Sequence, residues 1–250
     1  MTNDKLTDDP IAEALLEYRF ESADLAEIVI GRLSDIDVWR AGVKTRLPTA
    51  DIPVPMREAN GPLRHVPSLE IKGATGISAV RIGANVLSVH FLHPYAGWDE
   101  VFPLLLSTTV GLFKVLPSAT VTRLGLRYIN VFTEDRHHVN SVRNLALRIA
   151  VADRELDAPI TMALFEQTSP RHGVTTRIAS RMFMQGNVPP GATAAVDVDV
   201  GTPDGFADRS PDSINAWVDE AHTFEKAAFR KLLPDALYEA LRDKADARTH

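Results

Sequence analysis

Arginine side chains lie on one face of each of two segments that are predicted to be strands. Arg19 lies in the alternating segment 12–20, and Arg123 and Arg127 lie in the alternating segment 121–132. Alternate residues of a strand share one face, and clustered guanidinium groups bind carboxylates or phosphates through paired hydrogen bonds. The sequence therefore predicts a site for a small anionic ligand on one sheet face, formed by Arg19, Arg81, His90, Arg123 and Arg127, with Glu13 and Glu17 beside them.

The same side chains also suit a structural role. Arginine and glutamate on neighbouring strands form cross-strand ion pairs, and such pairs are common on solvated faces, where each contributes little to stability. We favour ion pairing for this predicted face and keep the ligand site as the alternative.

Two carboxylates lie two residues apart on a strand predicted over 192–200. Asp197 and Asp199 would share a face and could hold Mg²⁺. However, no third acidic ligand is evident, and Arg177 and Arg181 alternate on the strand predicted over 174–185. The sequence favours structural pairs, Arg177 with Asp199 or Arg181 with Asp197 depending on register. No metal and no cofactor are predicted.

The histidines do not match a strong metal-binding pattern. The spacing of His90 and His93 fits no zinc motif. His137 and His138 are predicted to be solvated in a polar loop. His222, on the last long helix, is predicted to be a buried, hydrogen-bonded residue, with a general base as the alternative.

Familiar catalytic motifs are absent from the sequence. It contains no Gly-x-Gly-x-x-Gly or Walker A phosphate loop, no Gly-x-Ser-x-Gly elbow and no His-Glu-x-x-His. The chain has no cysteine, which excludes disulfides, thiolate zinc ligands and cysteine nucleophiles. No catalytic residue is predicted, and whether the protein is an enzyme stays open.

The order of the strands and helices that position these side chains indicates an α+β protein with an antiparallel sheet. Over 12–132, alternation and helical spacing give the βαββαβ order of a ferredoxin-like half. The second half is predicted to hold three strands and a long amphipathic C-terminal helix that begins near Ser213. The proline-rich segment 46–68 is predicted to be an extended loop. A division into 1–135 and 136–250 follows, with one continuous domain as the alternative.

The bulk composition is that of an ordinary globular protein. The 250 residues are 45% apolar and 24% charged, with a formal net charge of −6. This acidic balance argues against non-specific nucleic-acid binding. The N-terminus lacks the apolar stretch of a signal peptide, and the most apolar helical stretch, 98–116, is interrupted by charges and Pro103. We expect a cytoplasmic protein without a membrane segment.

Three parts of the chain resemble a known family. They are Pro10–Ala14 with Tyr18–Phe20, the string Leu-Gly-Leu-Arg-Tyr-Ile-Asn at 124–130, and Trp217–His222. Together they make the chain resemble, over most of its length, a sporadically distributed bacterial family of uncharacterised conserved proteins of about this length. The Gly-Leu-Arg-Tyr-Ile-Asn string is the most specific part. The resemblance implies no catalytic residues, and the family's patchy distribution suggests a toxin–antitoxin, mobile-element or phage-defence context.

Three functional hypotheses follow from these observations. The first is an interaction or regulatory module that binds a protein partner by surface complementarity. The second is a binder of, or an enzyme acting on, a small anionic ligand at the arginine-lined face, with the long C-terminal helix closing a groove over the sheet. The third and least favoured is nucleic-acid binding through the same face.

Overall fold

A nine-stranded antiparallel sheet runs through the part of the chain that the computed structural model describes, which is residue 6 and residues 8–155, 158–185 and 188–243. Its strand order is β2-β3-β4-β5-β1-β6-β11-β10-β9. A separate small hairpin pairs β7 with β8. The strands are β1 (Ile11–Glu21), β2 (Val43–Arg46), β3 (Leu69–Lys72), β4 (Ser78–Ile82), β5 (Val86–Leu92), β6 (Thr120–Thr133), β7 (Ala150–Val151), β8 (Arg154–Glu155), β9 (Thr161–Ser169), β10 (His172–Ser180) and β11 (Ala192–Gly201).

Two long helices pack on one face of this sheet and on each other. The helices are α1 (Ala26–Leu33), α2 (Val54–Ala59), α3 (Gly61–Arg64), α4 (Trp98–Val115), α5 (Glu134–His137), α6 (Pro211–Lys231) and α7 (Asp235–Asp243). Helix α6 contacts β6, β10 and β11 and lies beside α4, which in turn contacts α1. Short 3-10 turns cover 48–51, 142–144 and 181–183.

Strand β1 contributes side chains to both faces of the sheet, because its residues alternate between them. Ala14, Leu16, Tyr18 and Phe20 are buried, and the residues between them are partly exposed. The Tyr18 hydroxyl shares a 2.8 Å hydrogen bond with Oγ1 of Thr109 on α4. This bond satisfies a buried polar group and fixes which face of β1 lies under the helix.

The predicted α+β class, the antiparallel sheet and the long C-terminal helix are confirmed. Strands β4, β5, β1 and β6 are neighbours in that order, and this is the strand order of a split βαβ unit. Strands β2 and β3 follow α1 in the chain and extend the sheet beyond β4, so the ferredoxin-like assignment stays a prediction. The sheet continues from β6 to β11 and so joins the two predicted halves.

Two local predictions are wrong for identifiable reasons. The segment 46–68 is not an extended loop, because Pro48, Pro55 and Pro62 lie in the first turns of short helices, where the amide that proline lacks would be unpaired anyway. The strand predicted over 174–185 ends at Ser180 and gives way to a 3-10 turn.

Among the residues that the structure describes, no helix is both long and apolar enough to cross a bilayer. The 18-residue α4 carries acidic residues in its first turn and Lys114 in its last.

Alanine substitutions at Leu16 and Leu15 test which face of β1 packs into the core. Leu16→Ala removes a fully buried side chain and is expected to lower the free energy of unfolding by about 3 kcal/mol. Leu15→Ala removes a partly exposed side chain from the other face and is expected to cost about 1 kcal/mol or less. Urea unfolding followed by circular dichroism measures both, and equal losses would contradict the assigned faces.

Candidate functional site

The sheet face opposite α4 and α6, here called the open face, collects the side chains that the sequence predicts to bind a ligand. Strand register places Glu17 between Ser88 of β5 and Gly125 of β6, and Ser88 opposite Arg81 of β4. Directly paired residues of an antiparallel sheet project to the same side. All five predicted side chains, Arg19, Arg81, His90, Arg123 and Arg127, therefore lie on the open face.

Each of these five side chains already has an acidic partner. The four arginine side chains keep a partial exposure of 30–39%, whereas the His90 side chain is 7% exposed, so the face is open to solvent at the arginines although its charges are paired. The contacts are Arg19 Nε to Glu17 Oε1 at 2.7 Å, Arg81 Nε to Glu70 Oε2 at 2.8 Å, His90 Nδ1 to Glu13 Oε1 at 2.6 Å, Arg123 Nη1 to Glu17 Oε1 at 2.9 Å, and Arg127 Nε and Nη2 to the two Asp197 carboxylate oxygens at 2.7 Å each.

The electrostatics of the open face follow from these contacts. Two hydrogen bonds to Asp197 raise the pKa of Arg127 further above its ordinary value. The hydrogen bond from His90 lowers the pKa of Glu13, whereas burial raises the pKa of Asp199 despite its arginine neighbours. The face is a network of mutually neutralised charges, and this arrangement does not concentrate positive potential for an anion.

The carboxylates of β11 belong to this network, but the pairing of β10 with β11 differs from the pairing that the sequence predicts. Arg177 lies opposite Asp197 and approaches it at 3.5 Å, so the predicted pairs of Arg177 with Asp199 and Arg181 with Asp197 are wrong. The cause is the early end of β10, since Ser180 already pairs with Ala194 and Arg181 lies in the following 3-10 turn.

A row of glycines makes a shallow depression in the open face. Gly125, Gly201 and Gly173 are paired across β6, β11 and β10. A Cβ at Gly125 would lie 2.7 Å from Nη1 of Arg123, and one at Gly173 would lie 2.7 Å from Cε2 of Phe165. Because these Cβ atoms are missing, both side chains lie flat on the sheet. A cavity of about 120 Å³ remains between them.

Ser88, His90 and Glu13 form a hydrogen-bonded chain on the open face. Ser88 Oγ lies 2.8 Å from Nε2 of His90, and Nδ1 of His90 lies 2.6 Å from Glu13. These distances are those of a nucleophile, a base and an orienting acid. However, Ser88 and His90 are only 6% and 5% exposed, which leaves a substrate carbonyl no approach to the hydroxyl. We assign the chain a structural role, as a satisfied polar network.

A second polar chain lies on the helix-covered face. The hydroxyls of Tyr95 and Tyr128 are 2.8 Å apart, and Tyr128 Oη is 3.4 Å from Nδ1 of His222. Glu225 lies 3.9 Å from the same nitrogen. Burial raises the pKa of Glu225 to about 8 and lowers that of His222 to about 4. Both groups are therefore neutral at pH 7, and their contact is not an ion pair.

The structure corrects two further predictions about this region. His137 is not solvated, since it is 1% exposed and accepts a hydrogen bond from the amide of Thr133 at 2.9 Å. By contrast, His222 is largely buried and hydrogen-bonded as predicted, with the Tyr128 hydroxyl as its partner, and its ring stacks on Trp98 with 3.9 Å between the centroids. Helix α6 covers the face that holds Tyr128 and does not close over the arginines.

Some features of the site were missed at the level of sequence. The glycine row was not identified, because Gly125 lies within β6 whereas Gly173 and Gly201 lie at the ends of β10 and β11, and their alignment depends on strand pairing. The role of Glu225 was missed because a glutamate on a long helix ordinarily faces water. Its position three residues after His222, on the buried stripe, was the available signal.

Models of known protein families give no match to this chain, and a search of curated proteins gives none either. The predicted family resemblance is therefore untested by these comparisons, and the site is described from its own geometry.

The structural assignment of Ser88 predicts that it is unreactive. Ser88→Ala is expected to cost about 1 kcal/mol of unfolding free energy, the usual net value of one hydrogen bond. The wild-type protein is expected to resist a fluorophosphonate probe in mass-spectrometric labelling. A label on wild-type Ser88 that is lost in Ser88→Ala would show an accessible nucleophile and overturn the assignment.

Burial of Glu225 predicts an unusual pH dependence of stability. Because its folded pKa of about 8 lies above its ordinary value of 4.5, the folded state keeps a proton that the unfolded state releases, and stability falls as pH rises. The lowered pKa of His222, to about 4, has the opposite effect, but only up to its ordinary value of 6.5. Between pH 6.5 and 8 the free energy of unfolding of the wild type should therefore fall by about 1–2 kcal/mol.

Urea unfolding at a series of pH values measures this loss. Glu225→Gln should reduce the fall of the unfolding free energy between pH 6.5 and 8. The matched change Glu220→Gln, at an exposed position of the same helix, should leave that fall unchanged. A wild-type slope that Glu225→Gln does not alter would contradict the buried, protonated carboxyl.

Proposed function

We propose that this protein is an interaction module that binds an extended segment of a protein partner along the edge strand β9. The single observation that carries this proposal is the exposure of a long apolar edge. Strand β9 spans nine residues and is the last strand of the sheet, and within the described part of the chain it pairs with β10 alone. Leu164 and Phe165 at its centre are 58% and 63% exposed.

The two edges of the sheet differ in how they are protected. Proteins ordinarily block exposed edges with short strands, lysine, proline or inward charges. The opposite edge, β2, has four residues and carries Lys44 and Arg46. Strand β9 has no lysine, arginine or proline, and its one charged residue is Glu166. This contrast supports a docking role for β9, because an unprotected edge is otherwise a liability for aggregation.

The surroundings of β9 define the chemistry of the partner segment. An added strand pairs its backbone with the edge and presents alternate side chains to the two faces. Phe165 and Leu164 project to opposite faces, so the segment needs an apolar residue for each. Glu166 favours a basic residue on the partner. Met182 and Phe183, which are also exposed, add apolar surface in the turn that follows β10.

The other hypotheses have weaker support from the geometry. An anionic ligand at Arg19, Arg123 and Arg127 would have to displace Glu17 or Asp197 from its present arginine contacts. Nucleic acid would meet the same paired charges and a net charge of −6. The predicted cytoplasmic location and the toxin–antitoxin or phage-defence context remain part of the proposal and rest on sequence.

Selection from a displayed library of random dodecapeptides tests the proposal. We expect enriched peptides with alternating apolar residues and at least one basic residue, which bind the wild-type protein in fluorescence anisotropy. The double change Leu164→Lys with Phe165→Lys should weaken binding at least tenfold, because the two lysines remove both apolar contacts and oppose a basic segment.

Val43→Lys is the matched control for this test. Val43 is an exposed apolar residue on the edge strand β2, and its replacement should leave peptide affinity unchanged. Equal binding to the wild type and the double variant would contradict the proposal. So would a wild-type dimer that takes no peptide and dissociates on the double change, since β9 would then belong to a second copy of the chain.

A further inference from the structure

We propose that a pocket between α1 and the segment 46–57 binds a small organic carboxylate through Arg57. This pocket adjoins β2, at the edge of the sheet opposite to β9, so the inference is independent of the proposed partner site. It rests on the burial of Arg57, on the shape and lining of the pocket, and on the balance of charge around it.

Arg57 is a largely buried cation whose side chain has no acidic partner in the described parts of the chain. It lies on α2 and is 8% exposed, and its Nε is buried with no hydrogen-bond partner among the residues that the structure describes. A guanidinium group stays charged at any ordinary pH. A cation with so little exposure and no acidic partner is costly to hold. An anion in the adjoining pocket that accepts hydrogen bonds from the terminal Nη nitrogens would reduce this cost.

The space in front of Arg57 is large enough for such an anion. The pocket has a volume of about 390 Å³ and is lined by Arg57 together with Ile30, Ile52 and Val54. Small-molecule pockets typically measure about 300–1,000 Å³ and combine an apolar lining with a few polar groups. Ser68, which is 6% exposed, adds a hydroxyl to the wall. A ligand with one anionic head and a short apolar body matches this lining.

The charges around the pocket select a monoanion. Arg46, the other arginine of the lining, is already bonded to Asp51 at 2.6 Å and to the carbonyl oxygen of Ala50 at 3.2 Å. Among the residues that line the pocket, Arg57 is left to balance the ligand because Asp51 neutralises Arg46, and Glu27 contributes one further negative charge. A carboxylate carries one negative charge and fits the guanidinium fork, whereas a phosphate dianion would bring a second negative charge that Arg57 does not balance and that Glu27 repels.

Isothermal titration with butyrate, hexanoate and octanoate tests this inference on the full chain. We expect saturable binding that strengthens from butyrate to hexanoate as the apolar body fills the pocket. Hexanol, which has the same body without the charge, and inorganic phosphate should each bind at least tenfold more weakly than hexanoate. Absence of carboxylate binding, or tighter binding of phosphate than of every carboxylate, would overturn the proposal.

Two variants separate the ligand role of Arg57 from a structural one. Arg57→Met should weaken hexanoate binding at least tenfold and, without ligand, should leave Tm unchanged or raise it by about 2 °C or more, because it removes an unpaired buried charge. Arg64→Met, at an exposed arginine of the neighbouring α3, should change neither. A lower Tm in Arg57→Met, together with unchanged hexanoate affinity, would show a structural role and overturn the proposal.

Amide chemical-shift mapping on the wild-type protein gives a test that does not depend on a variant. Addition of hexanoate should perturb the amides of Ile30, Ile52 and Val54 most strongly. Perturbations centred on the open face or on β9 would place the carboxylate elsewhere and contradict the inference.

Discussion

The alternation of strands β1 and β6 at the centre of the sheet is the constraint on which the rest of the structure depends. Each strand sends one set of side chains under the helices and the other set to the open face. Tyr18 and Tyr128 make buried hydroxyl contacts on the helix side, while Glu17 and Arg127 form ion pairs on the opposite side. A slip of one residue would exchange the two faces and bury these charges, so hydrophobic burial and charge pairing specify the same register.

Four residues of the string at 124–130 make specific contacts that fix the neighbours of β6. Gly125 leaves room for the side chain of Arg123 to lie on the sheet. Arg127 forms the two-bond contact with Asp197, and Tyr128 joins Tyr95 to His222. Asn130, 1% exposed, donates to the carbonyl oxygen of Val196 at 3.3 Å. Gly125, Arg127, Tyr128 and Asn130 therefore each have a structural role at the centre of the sheet.

Sequence patterns predicted the parts of the fold that depend on local periodicity. The alternation around Tyr18 and Tyr128 placed the arginines together, because a period of two needs no knowledge of distant contacts. What it could not supply was the pairing between strands. The partner of Arg177 depends on where β10 ends, and the protonation of Glu225 depends on how deeply α6 packs. The helices around Arg57 were missed because first-turn prolines were taken as marks of a loop.

Hydrogen exchange of the β9 amides, measured with and without a selected peptide, tests the central claim most directly. We expect the amides that point away from β10 to exchange freely in the unbound protein, and an added strand should protect every second amide between Thr161 and Ser169. The account predicts this alternating protection on β9 and none on β2. Protection that falls on the open face or on β2, with the β9 amides unchanged, would contradict it.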